Sequence, residues 1–208
     1  MLKLINLLVI LGAVLFITVL QAQKNTMNKQ NEYELATFGG GCFWCTEAMY
    51  EQLTGVISVA SGYSGGETKN PTYEQVCSEK TGHAEVIQVK YDPKNISYNK
   101  LLEIFFKTHD PTTLNQQGAD KGTQYRSIIL FHNEQQKLIA ENTIQTLTTE
   151  NIWPNKIVTE LVSFEVFYSA EDYHQDYYNN NRSKNQYCEI VITPKLKKFE
   201  KLFKDILK

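Results

Sequence analysis

The 208-residue sequence predicts an α+β fold, a two-layer sandwich in which helices cover a sheet. Short alternating segments typical of strands are mixed with amphipathic segments typical of helices, without the strict alternation of a parallel α/β protein. The sequence has no internal repeat and no linker rich in proline or glycine. Hydrophobic residues make up 42% and charged residues 21% of the chain, so disordered and fibrous classes are excluded.

The first 23 residues are predicted to be a signal peptide or an N-terminal anchor. A lysine precedes an apolar run from Leu7 to Leu20, and an alanine stands near its end, an order typical of secretory signals. Residues 24–32 then form a polar leader and residues 33–208 one domain. We therefore expect an exported, periplasmic or extracellular protein, or one held at the membrane by an uncleaved N-terminal segment.

In the first half of the domain, apolar periodicity and turn residues predict five elements. The alternation of Glu85, Ile87 and Val89 marks a half-buried strand, and Ser97 is placed to cap a helix. The predicted elements are a strand at 33–38, a helix at 43–53, a turn-rich segment at 61–73, a strand at 85–91 and a helix from 97 to 110.

The second half begins with a long loop and ends with a helix. Pro194 is placed to open that helix, with Leu196, Phe199, Leu202, Phe203 and Ile206 inward and lysines 195, 197, 198 and 201 on its solvated face. The predicted elements are a loop at 112–126, a strand at 127–132, a helix at 133–148, a strand at 156–164, a short aromatic helix at 171–181 and a strand at 189–193.

The strongest chemical signal is the segment GGGCFWC at residues 39–45, between the first strand and the first helix. Glycines allow a sharp turn and leave the next side chain uncrowded. A cysteine in the first turn of a helix faces unpaired N–H groups and the positive end of the helix dipole, which lower a thiol pKa. Cys42 is therefore a candidate nucleophile, and a buried structural thiol is the alternative.

Cys45, three residues further on, has two interpretations. Residues three apart on a helix can be close enough for a disulfide, so Cys42 and Cys45 could exchange electrons as a dithiol and a disulfide. However, Phe43 and Trp44 between them are large, whereas thioredoxin-like redox pairs usually enclose small residues. Rings beside a sulfur favour an apolar, sulfur-carrying ligand, and packing in the core is the alternative.

A second signal is the segment TGHAE at residues 81–85. Glu85 shares a strand face with apolar residues, where loss of hydration raises a carboxyl pKa and keeps the proton in place. Such a group is suited to be a general acid, and an edge glutamate facing solvent is the alternative. His83, on the preceding turn, is expected to be a hydrogen-bonded structural histidine.

Taken together, these residues resemble the peptide methionine sulfoxide reductase family, type A, which reduces the S epimer of the sulfoxide. The resemblance extends from about residue 33 to residue 192 and implies an α+β sandwich with a ferredoxin-like core, with 33–208 as one catalytic domain. The motifs that carry it are GGGCFW (39–44), GYSGG (62–66), NPTYEQVCS (70–78), TGHAE (81–85), HDPTTLNQQGAD (109–120) and GTQYRS (122–127).

The resemblance implies that Cys42 attacks the sulfoxide sulfur and that Glu85 protonates the departing oxygen. Attack at sulfur moves charge onto oxygen, so a positioned acid stabilises the transition state more than the ground state. Cys42 is then left as a sulfenic acid, which a second thiol condenses with to form a disulfide.

Five further residues receive roles from the same resemblance. Tyr73 and Tyr125 are implied to donate hydroxyl hydrogens to the sulfoxide oxygen. Asp120 is implied to support the substrate region, directly or through water. Phe43 and Trp44 are implied to be the walls that hold the methyl group of the substrate.

Two cysteines are candidates for the resolving thiol. Family members commonly place resolving cysteines near the C-terminus, and Cys188, after the polar segment 179–185, fits that habit and is slightly favoured. Cys45 departs from the family pattern, in which glycine often follows the Phe-Trp pair, and is the nearby alternative; a relay through both is also open. Cys77 is expected to be an inert buried thiol.

The resemblance implies no bound cofactor and no metal, but an external dithiol reductant, thioredoxin or thioredoxin-like, that reopens the disulfide. Oxidised proteins and free methionine sulfoxide are the implied substrates, so the implied task is repair after oxidative stress. We expect a monomer.

Two other classes of function are set against this one. A thiol–disulfide exchange protein would use Cys42 and Cys45 independently of Glu85, and it would leave Tyr73, Tyr125 and Asp120 without a task. A metal-binding module is disfavoured because the sequence has only one close cysteine pair. A nucleic-acid partner is not expected, because 21 basic residues are balanced by 23 acidic ones.

Overall fold

The computed structural model describes residues 33–208 of the chain. The predicted signal peptide or anchor at residues 1–23 and the polar leader at 24–32 lie outside the described residues. Among residues 33–208, no helix has both the length and the apolar character needed to cross a membrane.

The described residues form strands and helices in mixed order. They are β1 (Glu34–Gly40), α1 (Phe43–Tyr50), β2 (Val56–Ser64), α2 (Tyr73–Cys77), β3 (Ala84–Tyr91), α3 (Tyr98–Thr108), β4 (Gln116–Gln117), β5 (Asp120–Lys121), β6 (Ser127–Phe131), α4 (Glu134–Thr149), β7 (Glu160–Ser163), β8 (Tyr168–Ser169), α5 (Tyr177–Asn181) and α6 (Thr193–Phe203). Short 3₁₀ turns lie at Thr123–Tyr125, Asp172–His174 and Lys204–Ile206, and a π-helical turn at Cys188–Ile192.

Six strands form one sheet in the order β7-β6-β1-β3-β2-β8. β7 runs parallel to β6, and the other neighbours are antiparallel. The four central strands, β6-β1-β3-β2, have α1 after β1 and α3 after β3, which is the βαββαβ arrangement of a ferredoxin-like core. The predicted α+β sandwich with a ferredoxin-like core is confirmed.

The sheet buries residues on both faces. The larger core includes Ile87 and Val89 of β3 with the apolar residues of α1 and α3. On the opposite face, Val86 of β3 packs with Ile128 and Leu130 of β6 under the rings of Phe164 and Phe167. The alternation in β3 therefore predicts one buried face correctly, while the second is buried by a distant segment.

The predicted strand at 189–193 is wrong, because Cys188–Ile192 is a π-helical turn that continues into α6. Pro194 has no N–H to donate to the turn before it. The hydroxyl of Thr193 instead donates to the carbonyl of Cys188 at 2.9 Å. The segment therefore places Cys188 and Ile192 in the core from a helix, whereas Ile190 is exposed.

Several other boundaries differ from the prediction. The helix predicted at 43–53 ends at Tyr50, and the strand predicted at 156–164 is limited to Glu160–Ser163. The turn-rich segment at 61–73 includes the end of β2, where an added Cβ on Gly62 would lie 2.4 Å from the carbonyl oxygen of Tyr168. The glycine therefore permits β8 to pair closely rather than marking a turn. The aromatic segment at 171–181 forms a 3₁₀ turn and α5 instead of one helix. On α6, Leu202 is exposed instead of buried.

Candidate active site

Cys42 lies between the end of β1 and the start of α1, where it is the N-cap residue of the helix. The preceding Gly41 has a φ of +93°, and a Cβ there would lie 2.6 Å from the Cβ of Gln117. Only glycine fits this conformation beside the β4–β5 hairpin. The glycine run therefore brings the thiol to the carboxyl end of β1 at the edge of the sheet.

One pocket of about 160 Å³ collects all the side chains that sequence reasoning assigned to catalysis and substrate binding, and adds one more. The added side chain is Tyr187. The pocket is lined by Cys42, Phe43, Trp44, Tyr73, Glu85, Asp120, Tyr125 and Tyr187.

Glu85 is a buried carboxyl at the start of β3, only 2% exposed. Its Oε2 accepts a hydrogen bond from the backbone N–H of Phe43 at 3.1 Å, so it lies directly beside Cys42. Burial, and then the neighbouring Cys42, raise the pKa of Glu85 well above its usual range, although the Phe43 N–H opposes the rise. The site therefore favours the protonated form of this carboxyl.

The phenols of Tyr73 and Tyr125 line the pocket beside this carboxyl. Burial and the nearby Glu85 raise the pKa of both phenols, so each keeps its hydrogen. Tyr73 is fixed at the start of α2, where its backbone N–H donates to Glu171 at 2.9 Å. Tyr125 is fixed by the buried Arg126, which donates to the carbonyl of Gly82 at 2.9 Å and thereby ties the two loops together.

Asp120 and Tyr187 form a hydrogen-bonded pair at the mouth of the pocket. Asp120 is carried by the β4–β5 hairpin, and its Oδ2 accepts from the Tyr187 hydroxyl at 3.0 Å. The same hydroxyl is hydrogen-bonded to the Cys42 thiol. Sequence reasoning missed Tyr187, although its position directly before Cys188 was a signal that could have found it.

The thiols of Cys42 and Cys45 are hydrogen-bonded to each other. The prediction that the pKa of Cys42 is lowered is wrong. Burial, and then the neighbouring Cys45, raise the pKa of Cys42 well above its usual range, because burial outweighs the helix terminus. The hydrogen bond from Cys42 lowers the pKa of Cys45 despite burial. The surroundings therefore favour the neutral thiol at Cys42 and the thiolate at Cys45.

The aromatic walls of the pocket are held from behind by the segment 172–177. The ring of Trp44 stacks on Tyr177 with centroids 3.6 Å apart, and its Nε1 donates to Nδ1 of His174 at 3.0 Å. The ring of Phe43 lies 5.0 Å from that of His174. Sequence reasoning missed His174 and Tyr177, because a histidine in an aromatic segment has no spacing that marks it.

Two further cysteines lie near the pocket. Cys188 is fully buried and close enough for Cys42 to raise its pKa in addition to the effect of burial. Cys77 is half-buried rather than buried, and it is hydrogen-bonded to the Tyr73 hydroxyl. All four cysteines of residues 33–208 are free thiols.

Elsewhere in the domain, His83 has the structural role expected for it. Its Nδ1 accepts from the backbone N–H of Gly66 at 3.1 Å, and its Nε2 bonds to the carbonyl of Thr68 at 2.7 Å. Within residues 33–208, no group of three side chains is arranged to hold a metal ion.

The arrangement is suited to a neutral, polar group attached to an apolar one. Protonated oxygen groups lie on one side of the thiol and aromatic rings on the other. Such a pocket can donate hydrogens to a ligand oxygen while excluding water from an apolar substituent.

Comparisons with known proteins agree with these features. A family model described as peptide methionine sulfoxide reductase matches residues 34–207. The peptide methionine sulfoxide reductase MsrA of Saccharolobus solfataricus is 61% identical over 175 residues, which cover 84% of this chain and 97% of that protein. The MsrA of Acinetobacter baumannii strain AYE is 54% identical over 173 residues, which cover 83% and 98%.

Solved structures are also similar. Reduced Mxr1 from Saccharomyces cerevisiae has a TM-score of 0.68 and 36% identity, covering 76% of this chain and 90% of that one. Methionine sulfoxide reductase A of Corynebacterium diphtheriae has a TM-score of 0.66 and 34% identity, covering 74% and 77%.

Proposed function

Because the chain belongs to the peptide methionine sulfoxide reductase family, we propose that its thiol-dependent reduction of methionine sulfoxide takes place in the Cys42 pocket. One observation carries this proposal. A thiol, a protonated carboxyl and two phenols line the same 160 Å³ pocket as the rings of Phe43 and Trp44.

In the proposed complex, the sulfoxide oxygen faces Glu85, Tyr73 and Tyr125, and the methyl group faces the rings of Phe43 and Trp44. The sulfoxide is a neutral dipole, so it enters without the cost of burying a charge. The phenol of Tyr73 turns from Cys77 to the oxygen. Sulfur–aromatic contacts with the rings contribute about 0.3–1.5 kcal/mol each.

This placement also favours one epimer over the other, and the family resemblance implies that this is the S epimer. The sulfoxide oxygen points to the hydrogen-bond donors, the methyl group points to the rings, and the remainder of the methionine side chain points to the solvent. With the thiol on the fourth side, only one configuration at sulfur satisfies all three directions. The other epimer leaves either the donors or the rings unmatched.

In the proposed reaction, the Cys42 sulfur attacks the sulfoxide sulfur and passes its proton to Cys45. Glu85 donates its proton to the oxygen, which stabilises the charge that develops there. The oxygen then passes from the methionine sulfur to the Cys42 sulfur as the sulfoxide S–O bond breaks, and the transient bond between the two sulfurs breaks to release the thioether. In the net step, a thiol and a sulfoxide become a sulfenic acid on Cys42 and a thioether. The methionine is reduced by two electrons and Cys42 is oxidised by two.

The proposed function is tested with separated epimers of a methionine sulfoxide peptide and dithiothreitol. The S epimer is expected to be reduced, the R epimer to remain, and Cys42→Ser to abolish reduction while Cys77→Ser retains it. Equal reduction of both epimers, or turnover by Cys42→Ser, contradicts the proposal.

We further propose that Cys45 is the first thiol to resolve the sulfenic acid, with Cys188 next in a relay. The hydrogen bond between Cys42 and Cys45, and the lowered pKa of Cys45, support this order. Cys188 is adjacent but has a raised pKa, which disfavours its thiolate. This order departs from the slight sequence preference for Cys188.

Mass spectrometry of the enzyme after one equivalent of sulfoxide, without reductant, tests the order. A Cys42–Cys45 disulfide is expected at the earliest times, and a bond to Cys188 only later. A bond from Cys42 to Cys188 that forms first, or forms at the wild-type rate in Cys45→Ser, contradicts it.

Export and a thioredoxin-like reductant complete the proposal. The apolar run from Leu7 to Leu20 supports export, and a thiol enzyme outside the cytoplasm needs a dedicated dithiol donor. Determination of the N-terminal residue of the protein purified from its host tests the first point. A start near residue 24 is expected, and an intact N-terminus in the soluble fraction contradicts it.

A further inference from the structure

The side chain of Lys195 lies against the buried thiol of Cys45. Its Nζ is 3.7 Å from the Cys45 Sγ, and Cys45 is 3% exposed. The other lysines of α6 are exposed, as expected for a solvated helix face, and they are Lys197, Lys198 and Lys201. Lys195, in contrast, is half-buried and therefore does not lie on the predicted solvated face. Its ammonium contacts the Cys45 sulfur instead.

Within residues 33–208, Lys195 takes part in no ion pair with a carboxylate. Lys195 also lines a cavity of about 270 Å³ between α3 and α6. A cavity of this size that is lined in part by charged groups has room for water, so the ammonium can stay hydrated while it contacts the sulfur. The titratable and charged groups that share this cavity are Lys107, His109, Asp110 and Lys198.

These groups leave Lys195 as the positive charge nearest to Cys45. Burial lowers the pKa of His109 to about 4, so that ring is neutral at pH 7. From the pocket side, Cys45 faces the Cys42 thiol, the Tyr187 phenol and Asp120. Of these, Cys42 donates a hydrogen bond and Asp120 opposes a negative charge on Cys45.

We propose that Lys195 is a positioning residue for the resolving step, holding Cys45 as a thiolate aimed at Cys42. This inference rests on the proposed route through Cys45. The helix register of residues 42 and 45 places the two sulfurs side by side, and the ammonium approaches Cys45 from α6, behind it. The charge therefore stabilises the attacking sulfur without occupying the substrate pocket.

In the resolving step, the Cys45 sulfur attacks the Cys42 sulfur, an S–S bond forms and the S–O bond of the sulfenic acid breaks. The oxygen leaves as water, carrying its own hydrogen and the proton that Cys45 released. Cys45 is oxidised and the Cys42 sulfur is reduced, so electrons balance without a further reactant. An unstabilised Cys45 thiol would attack slowly, because the thiolate is the nucleophile.

The test is the pH dependence of Cys42–Cys45 disulfide formation after one equivalent of sulfoxide, followed by rapid quench and thiol alkylation. In Lys195→Met, the rising limb of the rate is expected to move about one pH unit upward, so the rate below that limb falls about tenfold. Lys195→Arg should restore the wild-type profile. Lys198→Met, on the same helix and cavity, is the matched control and should leave it unchanged.

A second measurement keeps the test independent of turnover. In Cys42→Ser, which retains a hydroxyl donor beside Cys45, the alkylation rate of Cys45 is measured against pH with and without Lys195→Met. The midpoint is expected to rise when Lys195 is removed. Lys195→Gln replaces Lys195→Met in both measurements if the methionine variant does not fold.

The outcomes separate this inference from the route on which it rests. If the wild-type enzyme forms no Cys42–Cys45 disulfide, the route through Cys45 is wrong. If that disulfide forms and Lys195→Met keeps the wild-type profile, or Lys195→Arg fails to rescue a shifted one, the role of Lys195 is overturned and the route stands.

Discussion

Four titratable side chains that line the substrate pocket favour their protonated forms. Burial disfavours ionised groups, so the Glu85 carboxyl, the Cys42 thiol and the Tyr73 and Tyr125 phenols all have raised pKa values. A pocket of this kind presents several hydrogens to a neutral oxygen. It is also poorly suited to an anionic ligand, which would add another buried negative charge.

The first prediction concerns Glu85→Gln. Removing the acid is expected to slow single-turnover methionine formation about 10²- to 10⁴-fold, the usual contribution of general acid catalysis. Because the folded pKa of Glu85 is raised, the wild-type rate should be high below that pKa and fall as pH rises through it. This alkaline fall should be absent from the variant.

This prediction is checked by quenching single-turnover reactions at set times across a range of pH and quantifying the methionine formed. Alkylation of Cys42 is the control for an intact pocket. A thiol–disulfide exchange protein would show no dependence on Glu85. An unchanged rate in Glu85→Gln, with Cys42 still reactive, therefore rules out the assigned acid.

At the scale of single residues, the sequence predicted where Cys42 and Glu85 lie, but it did not predict all of the residues that surround them. The pKa of Cys42 was expected to fall because of the helix terminus, yet burial raises it, in a pocket that residues distant in the chain, such as Tyr187, help to line. His174 was missed for a similar reason, since its bond to Trp44 spans 130 positions in the chain. Such effects have no local pattern.

At the scale of elements, strand direction brings the site together. β1 is antiparallel to both β3 and β6, so the carboxyl end of β1 meets the amino ends of its two neighbours at one edge of the sheet. Cys42 follows β1, Glu85 begins β3, and Tyr125 precedes β6. The three side chains therefore converge although they are far apart in sequence.

The second prediction concerns the turn that joins β1 to α1. In Gly41→Ala, the added Cβ would clash with Gln117 and displace Cys42. The variant is therefore expected to destabilise the fold by at least about 1–3 kcal/mol and to form methionine more slowly. Gly118→Ala is the matched control, since Gly118 also has a positive φ but no atom within 4 Å of an added Cβ.

Denaturant unfolding and single-turnover assays on both variants check this prediction. Gly118→Ala should lose some stability and retain the rate. If Gly41→Ala reacts as fast as Gly118→Ala, the turn does not position the thiol.

Elements with strong local signals were predicted well, and those that depend on partners were not. Ser97 caps α3 and Asn133 caps α4, and both helices begin where the sequence indicated. Residues 189–193 have a composition typical of a strand, but no sheet edge receives them, and they continue as helix into α6. Position relative to the sheet, which decided this, is not encoded locally.

At the scale of the whole molecule, the C-terminal part of the chain closes over α1. Tyr177 stacks on Trp44, Tyr187 bonds to Asp120, and Leu207 bridges to Leu53. The same part carries Cys188 and α6. The pocket is therefore completed by residues more than 120 positions from Cys42, which couples its integrity to the global fold.

The third prediction concerns stability against pH. The folded pKa of Glu85 lies above its unfolded value, so the folded state binds the extra proton between the two. The free energy of unfolding should therefore fall as pH rises through that window. Glu85→Gln, which cannot ionise, should weaken this fall, whereas Glu67→Gln at an exposed position should not.

Urea unfolding of the three proteins between about pH 5 and pH 9 measures this dependence. A pH dependence in Glu85→Gln as steep as in the wild type would show that the Glu85 carboxyl does not stay protonated in the fold.

The most direct test of the reaction at Cys42 uses an enzyme in which Cys45, Cys77 and Cys188 are all replaced by serine. One equivalent of an S-sulfoxide peptide is added without reductant, and methionine and the sulfenic acid, trapped with dimedone, are counted. One methionine and one dimedone adduct at Cys42 are expected per enzyme. No methionine, or methionine without an adduct at Cys42, contradicts the assignment of Cys42 as the nucleophile.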